Sequence, residues 1–217
     1  MTDIRTYLRD LPVFAGELPL FDPTAAPECP ETLFVQWLTA AVDSGVREAH
    51  AMTLSTVGVD GDPSARVLIC KNVDERGWQF AVHAASPKGR ELLANPAAAL
   101  TFYWAALARQ VRVRGPVAAE PADRSAADFL ARPPASRAEA LLGRQSEPLA
   151  DPRDLELAMR QALHRIEGEP GLIVPEWTLY TLRATEVEFW QGDQRRRHTR
   201  LRYTRIANGW CREILWP

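Results

Sequence analysis

Residues 50–84 read HAMTLSTVGVDGDPSARVLICKNVDERGWQFAVHA. In HAMTLSTV, Met52 and Leu54 fall on one face of an extended chain, because successive strand side chains point to opposite sides. GVDGDP interrupts with Gly, Asp and Pro, the residues of turns. SARVLICKNV is β-branched and apolar, ERG turns the chain again, and WQFAVHA reads as a third short strand. Strands joined by tight turns pair antiparallel, whereas parallel neighbours need a long crossover. The stretch argues against a βαβ sheet and for an antiparallel one.

Working outward, PETLFVQWLTAAVDSGV carries Phe34, Trp37, Leu38 and Val42 at helical spacing, with Pro30 near its start and Gly45 near its end. That predicts a helix over about 31–44. Residues 16–31 are rich in Pro, Glu and Asp, so 1–30 read as an N-terminal arm and 31–217 as one domain. Downstream, Ser86 is placed to cap a short helix, SPKGRELLANP, that stops near Asn95-Pro96. AAALTFYWAAL and RQVRVRGPVAAE read as strands, the second setting Val111 and Val113 against Arg112 and Arg114. Residues 121–168 turn helical in ADRSAADFLAR, SRAEALLGR and DLELAMRQALHRI. Strand character returns in TLYTLRATEVEFWQ, HTRLRYTR and GWCREILW. Strands, a block of helices, then strands again predict an α+β fold whose antiparallel sheet closes as a barrel.

Of the 217 residues, 46% are hydrophobic and 25% charged, with a net charge of -2. This is globular composition, enough for a sizeable core. No apolar run approaches the roughly 18 to 20 residues that span a bilayer, and MTDIRTYLRDLPVF lacks the apolar stretch of a secretory signal. Cys29, Cys70 and Cys211 are scattered without a C-x-x-C pair, so neither a disulfide framework nor a zinc site is expected, and a cytoplasmic setting is. The near-neutral balance argues against a nucleic-acid binder.

Positive charge is nonetheless concentrated locally. WQGDQRRRHTRLRY, residues 190–203, holds Arg195, Arg196, Arg197, Arg200 and Arg202 with His198 among them. If 196–203 is a strand, Arg196, His198, Arg200 and Arg202 share one face, and Thr199, Leu201 and Tyr203 the other. Such a row is either a solvated edge or a site for a phosphate or carboxylate, which suits arginine's paired donors. In RVLICK, the odd spacing of Arg66 and Lys71 puts them on opposite faces. SPKGR adds Lys88 and Arg90 at a helix N-terminus, a favourable place for an anion. FLARPPAS offers Arg132 and Ser136, and GRQSE offers Gln145 and Ser146. The sequence contains no G-x-G-x-x-G, P-loop, H-E-x-x-H or G-x-S-x-G motif, and His50, His83 and His164 stand isolated.

Taken in order, RVLICK, SPKGRELLANP, RQVRVRG, ARPPAS, GRQSEPL, VEFWQG and RRRHTRLRY resemble the pyridoxamine 5'-phosphate oxidase family, the FMN-dependent split-barrel flavoproteins. The likeness spans roughly residues 32–217, and EFWQG followed by R-x-H-x-R is its most specific part. It implies an α+β antiparallel split β-barrel with surrounding helices, forming a homodimer with FMN between the subunits. It implies oxidation of pyridoxamine or pyridoxine 5'-phosphate to pyridoxal 5'-phosphate, with molecular oxygen as acceptor and hydrogen peroxide released. Carried over residue by residue, Arg66, Val67, Leu68, Ile69, Cys70 and Lys71 line the FMN, Ala81 and Val82 lie at its edge, and Lys88 meets its phosphate. Gln110, Gln145 and Ser146 are polar contacts to the cofactor, and Trp190 and Arg200 complete its pocket. Lys71, Arg132 and Ser136 match ligands of the substrate phosphate, and Arg196 and His198 match the pair that covers the substrate ring. No metal is implied.

The match has departures. Pro87 stands where the family commonly has an arginine, and Asp128 where a tyrosine hydroxyl usually helps hold the substrate phosphate. Ala81 and Val82 lack the usual hydroxyls, and Ile214 takes the place of an arginine in the C-terminal motif. Some of these changes resemble the oxidases of phenazine biosynthesis, which act on a reduced tricyclic carboxylic acid. Lys71, Arg132 and Ser136 keep a B6 phosphate as the leading substrate, with a different oxidase substrate, or a flavin-binding module without turnover, as the alternatives.

Overall fold

The computed structural model describes residues 3–217; the first two residues of the expected N-terminal arm lie outside the described residues. The chain opens with α1 (Ile4–Asp10) and a short 3-10 turn, Pro23–Ala25, and then enters α2 (Pro30–Asp43). Four strands follow: β1 (Ala51–Val57), β2 (Pro63–Ile69), β3 (Asn72–Asp74) and β4 (Gly77–His83). After α3 (Pro87–Ala94) come β5 (Ala97–Trp104) and β6 (Arg109–Ala119). The helical block is α4 (Ala122–Leu130), α5 (Pro134–Leu142) and α6 (Pro152–Gly168). The chain ends in β7 (Trp177–Leu182), β8 (Glu186–Gln191), β9 (Thr199–Ile206) and β10 (Gly209–Leu215). Strand order is β10-β9-β8-β6-β5-β1-β2, with β7 beside β6 and β4, and β3 beside β4. The pairs β10–β9, β9–β8, β7–β6, β7–β4 and β4–β3 are all antiparallel. Among the described residues no helix is long and apolar enough to cross a membrane.

The chain divides into two compact units, one comprising residues up to Met52, Thr101–Val113 and Thr185–Pro217, the other Thr53–Leu100 and Arg114–Ala184. The core of the first is aromatic. Phe34 packs edge-on to Phe102 with ring centroids 4.7 Å apart, Trp37 to Phe189 at 5.2 Å, and Phe189 to Tyr203 at 5.7 Å. Edge-to-face pairs are preferred because the positive ring edge meets the negative face of its neighbour. Pro30 begins α2, where a missing N–H costs nothing. Its buried stripe is Leu33, Phe34, Trp37 and Ala41, whereas Val42, expected inside from its spacing, is 58% exposed. Residues 34, 37 and 41 follow the 3.6-residue period more closely, so the stripe lies one position back from the expected one. Tyr203 donates its hydroxyl to the Pro27 carbonyl at 2.7 Å, and Arg212 donates to the Ala26 carbonyl, pinning the segment before α2.

In the second unit every residue of β4 is buried. The helical block has its own core of Phe129, Ala138, Ala140, Ala162, Ile166 and Val174. Arg137 crosses it to donate to the carbonyls of Pro170 and Leu172, at 2.7 and 3.0 Å.

Two expectations need correction. SARVLICKNV is not one strand: β2 stops at Ile69, and Lys71 leaves the strand to donate its N–H to the Gln79 carbonyl at 2.8 Å. Nor do Arg196, His198, Arg200 and Arg202 form one strand face. β9 begins at Thr199, and residues 194–198 form a turn with Arg196 at φ +63°. The Asp193 carboxylate holds that turn, accepting from the N–H groups of Arg195 and Arg197 at 2.8 and 3.2 Å. A short acid bonding its own backbone two residues on is a turn former, and it outcompetes strand pairing here. From Thr199 onward the alternation holds: Leu201 and Tyr203 are buried, Arg200 and Arg202 only partly so.

Two expected outcomes follow from this core. Phe189→Ala should cost about 3–5 kcal/mol of stability by denaturant unfolding, since it removes a fully buried ring held between two others. Burial pushes the Tyr203 phenol up from 10.0 to about 12. A raised folded value means its contribution is intact below pH 10.0 and is lost as pH rises toward about 12. Tyr203→Phe should therefore flatten the alkaline fall in melting temperature across that window.

Candidate active site

Two clusters carry part of the expected site residues, one in each unit; Arg66, Val67, Ile69, Cys70, Lys71, Ser136 and Ser146 do not line the cavity of the second unit. In the second unit a cavity of about 490 Å³ is lined by Leu68 of β2, Ala81 and Val82 of β4, Lys88 of α3, Arg132 after α4, Gln145 after α5, and Trp177 of β7. Its size falls in the roughly 300–1,000 Å³ range of small-molecule pockets. Local sequence places each side chain. Ser86 caps α3, its Oγ accepting from the Gly89 N–H, and Pro87 begins the first turn. Gly89 is required there: a Cβ would lie 2.4 Å from the Ala84 carbonyl oxygen and 2.6 Å from that of His83. This close approach seats the helix start on the end of β4 and turns Lys88 inward. Past α5, Gly143 and Ser146 take φ of +65° and +71°, folding the chain back so that Gln145 meets Lys88.

The electrostatics single out two cations. Lys88 is buried, and its ammonium donates to the amide oxygen of Gln145, a neutral partner. Burial first, and the nearby Arg66 charge second, pull its pKa below the usual lysine value. Arg132 lies 3.9 Å over the Trp177 ring, and burial lowers its pKa too. Its Nη2 lies 3.7 Å from Glu139 Oε2, while its Nη1 is a buried donor without a hydrogen-bond partner among the described residues. A cation held out of water with neutral or absent partners is costly. An anion in this cavity relieves that cost. Two other expected cations of the unit already have carboxylates. Arg66 reaches Glu91 at 3.0 Å and Ser64 Oγ at 2.5 Å, and Lys71 Nζ lies 3.5 Å from Asp128. Arg66 and Lys71 have separate partners, but not as opposite faces of one strand, because Lys71 stands outside β2. Val67 and Ile69 are exposed, Cys70 is half-buried, and burial raises its thiol to about 12, which disfavours the thiolate. Ser136 is half-buried in the first turn of α5 and Ser146 is exposed.

In the first unit, the Trp190 and His198 rings lie 4.9 Å apart, and Phe14 caps both at 5.8 and 5.5 Å. Arg196 stands 5.6 Å from the Phe14 ring. His198 Nδ1 accepts from the Asp193 N–H at 3.1 Å, so the neutral imidazole carries its proton on Nε2. Arg200 donates Nε to Glu188 at 2.8 Å and Nη1 to the Trp216 carbonyl at 3.0 Å. Gln110 is half-buried on β6 beside the buried Arg109.

Sequence reasoning passed over Glu188, Trp177, Glu139 and Phe14. Glu188 had a signal, for it is the acid of the quoted EFWQG. It is buried, and its two oxygens each take an arginine at 2.8 Å, Arg200 on one and Arg112 on the other. Phe14 carried none, because its contact with Trp190 and His198 joins residues far apart in the chain. Among the described residues no cluster of His, Cys, Asp or Glu is fit to hold a metal ion.

An antiparallel α+β chain with a buried lysine and a half-buried arginine at a ligand-sized cavity has the features of a small-molecule binding protein. Residues 38–165 match the family profile described as pyridoxamine 5'-phosphate oxidase, and residues 177–217 that described as the pyridoxine 5'-phosphate oxidase C-terminal dimerisation region. The chain belongs to the pyridoxamine 5'-phosphate oxidase family. It is 45% identical to the pyridoxine/pyridoxamine 5'-phosphate oxidase of Thermosynechococcus vestitus over 195 residues, covering 88% of this chain and 90% of that one. With the protein of that name from Burkholderia vietnamiensis it shares 40% identity, covering 98% of this chain and 100% of the other. Among solved structures, PhzG from Burkholderia lata, in complex with tetrahydrophenazine-1-carboxylic acid, aligns with a TM-score of 0.85 at 30% identity, over 93% of this chain and 100% of that one. The fold is the α+β antiparallel split barrel of these relatives.

Glu188→Ala should leave Arg112 and Arg200 without their shared counter-charge. The expected loss is roughly 1–3 kcal/mol, read as a lower denaturant midpoint, with Glu188→Gln losing less.

Proposed function

We propose that the protein is an FMN-dependent oxidase that converts pyridoxamine and pyridoxine 5'-phosphate to pyridoxal 5'-phosphate, with molecular oxygen as acceptor and hydrogen peroxide released. The observation that carries it is the cavity holding the buried Lys88 ammonium, whose partner is a neutral amide, and the half-buried Arg132, whose Nη1 is left without an acceptor among the described residues. The residues fit a phosphate-bearing flavin: a buried ammonium at a helix start, where the helix dipole also favours an anion, and an apolar wall of Leu68, Ala81 and Val82 for a ring. FMN, when bound, supplies the electron-accepting ring and passes the electrons to oxygen.

The chain's own residues bind and orient. Lys88 holds the cofactor phosphate, with Gln145 keeping its ammonium in place. Arg66 to Lys71, Ala81, Val82, Gln110, Ser146, Trp190 and Arg200 are the remaining FMN contacts, and Glu188 fixes the direction of Arg200. Lys71, Arg132 and Ser136 take the substrate phosphate, whose charge near neutrality approaches minus two. Arg196 and His198 cover the substrate ring; Arg196 offers charge to the developing transition state, and the Nε2 proton of His198 is available as a donor. The reading includes a homodimer with FMN at its interface and a cytoplasmic setting, in keeping with the free Cys29, Cys70 and Cys211. A second reading, an oxidase of a reduced polycyclic carboxylic acid, is favoured by Asp128, which already occupies Lys71 at 3.5 Å.

The test is oxygen uptake and aldehyde formation by FMN-loaded protein given pyridoxine 5'-phosphate, pyridoxamine 5'-phosphate and their unphosphorylated forms. Turnover of the phosphorylated pair is expected, and none with either at full FMN occupancy overturns the proposal. Lys88→Met should weaken FMN binding roughly ten- to hundredfold by flavin-fluorescence titration, the worth of one charge-assisted hydrogen bond.

A further inference from the structure

The subsite assigned to the substrate phosphate is already charge-balanced by the protein. Lys71 Nζ lies 3.5 Å from Asp128 Oδ1. Asp128 Oδ2 accepts from Trp177 Nε1 at 2.8 Å. Arg132 stacks over that same indole at 3.9 Å, and its Nη2 is 3.7 Å from Glu139 Oε2. Two cations and two carboxylates therefore sum to zero where a dianion is expected to dock. The Asp128 side chain is only 15% exposed, so water screens it little. It also cannot swing aside freely, because leaving would strip the Trp177 N–H of its acceptor.

We propose that Asp128 is a specificity-determining residue: its carboxylate acts as a built-in anion on Lys71 that a substrate phosphate must displace or share. A neutral residue at this position leaves the full Lys71 charge to the phosphate. Asp128 instead sets a like charge beside the incoming dianion, which is unfavourable by electrostatics alone. A substrate that presents a neutral hydroxymethyl group or a single carboxylate meets less of this repulsion. The site thus discriminates less strongly in favour of phosphorylated over unphosphorylated rings than the same site would without the acid. The inference rests on the reading that Lys71, Arg132 and Ser136 face the substrate phosphate.

The experiment compares FMN-loaded wild type with Asp128→Asn and Asp128→Tyr. The Asn variant keeps an acceptor for the Trp177 N–H while removing the charge, and the Tyr variant supplies a neutral hydroxyl on a different frame. The readout is the KM for pyridoxine 5'-phosphate divided by the KM for pyridoxine, so that a general loss of activity cancels. That ratio should fall by roughly tenfold or more in both variants, the scale of one unscreened like-charge contact removed. A ratio that stays level or rises in the Asn variant overturns the proposal; should that variant fail to fold, the Tyr variant decides by the same criterion. Calorimetric titration with pyridoxal 5'-phosphate and with pyridoxal gives the same ratio without turnover. If wild type binds both but oxidises neither alcohol, the oxidase reading fails, and the binding ratio alone still judges Asp128.

Discussion

Cations cannot be kept away from water without something to answer their charge, and this constraint organises much of what surrounds the site. Several of the arginines and lysines expected to act have a carboxylate close by: Arg66 with Glu91, Lys71 with Asp128, Arg200 with Glu188 and Arg132 with Glu139. Lys88 is different, and Arg132 is answered only in part. One is bonded to a neutral amide, the other stacks on an indole and buries an unanswered N–H. Both face the same cavity. A buried ammonium bonded to a neutral amide, between a capped helix start and a left-handed turn, is the arrangement on which the proposed anion site rests.

The carboxylate partners are not passive. Glu188 divides its two oxygens between Arg112 and Arg200, so the direction of Arg200 is set before any ligand is present. Asp128 does something similar for Lys71, but with a side chain that carries a charge where the family resemblance implies a hydroxyl. Orientation by a buried acid gives precision, and in the second case it also gives the subsite a negative charge of its own. In the proposal made for Asp128, the same physics would both build the site and tune which ligand it takes.

Family membership brings a fold and a class of chemistry, and the details of this chain sit within them. Pro87 removes one expected cation from the start of α3, leaving Lys88 and Arg90 as the charged groups of that turn. Ile214 is 62% exposed on β10, where a hydrophobic side chain replaces the expected arginine. Nothing in the structure explains that replacement.

The order of elements, the antiparallel pairing and most strand and helix positions were legible in the sequence, because they follow from local causes: side-chain alternation, turn residues, a Ser before a Pro at a helix start. Arg66, Lys71, Lys88, Arg132 and Gln145 were legible as candidates because their motifs are contiguous. The turn at 194–198 was not, since an arginine-rich run alternates equally well in a strand, and only the carboxylate of Asp193 bonding back to the chain decides against it. Which cation is answered and which is left open could be settled only in three dimensions. Those pairings join residues as far apart as Lys88 and Gln145, or Asp128 and Trp177, and a charge's partner depends on distance in space, which no pattern along the chain encodes.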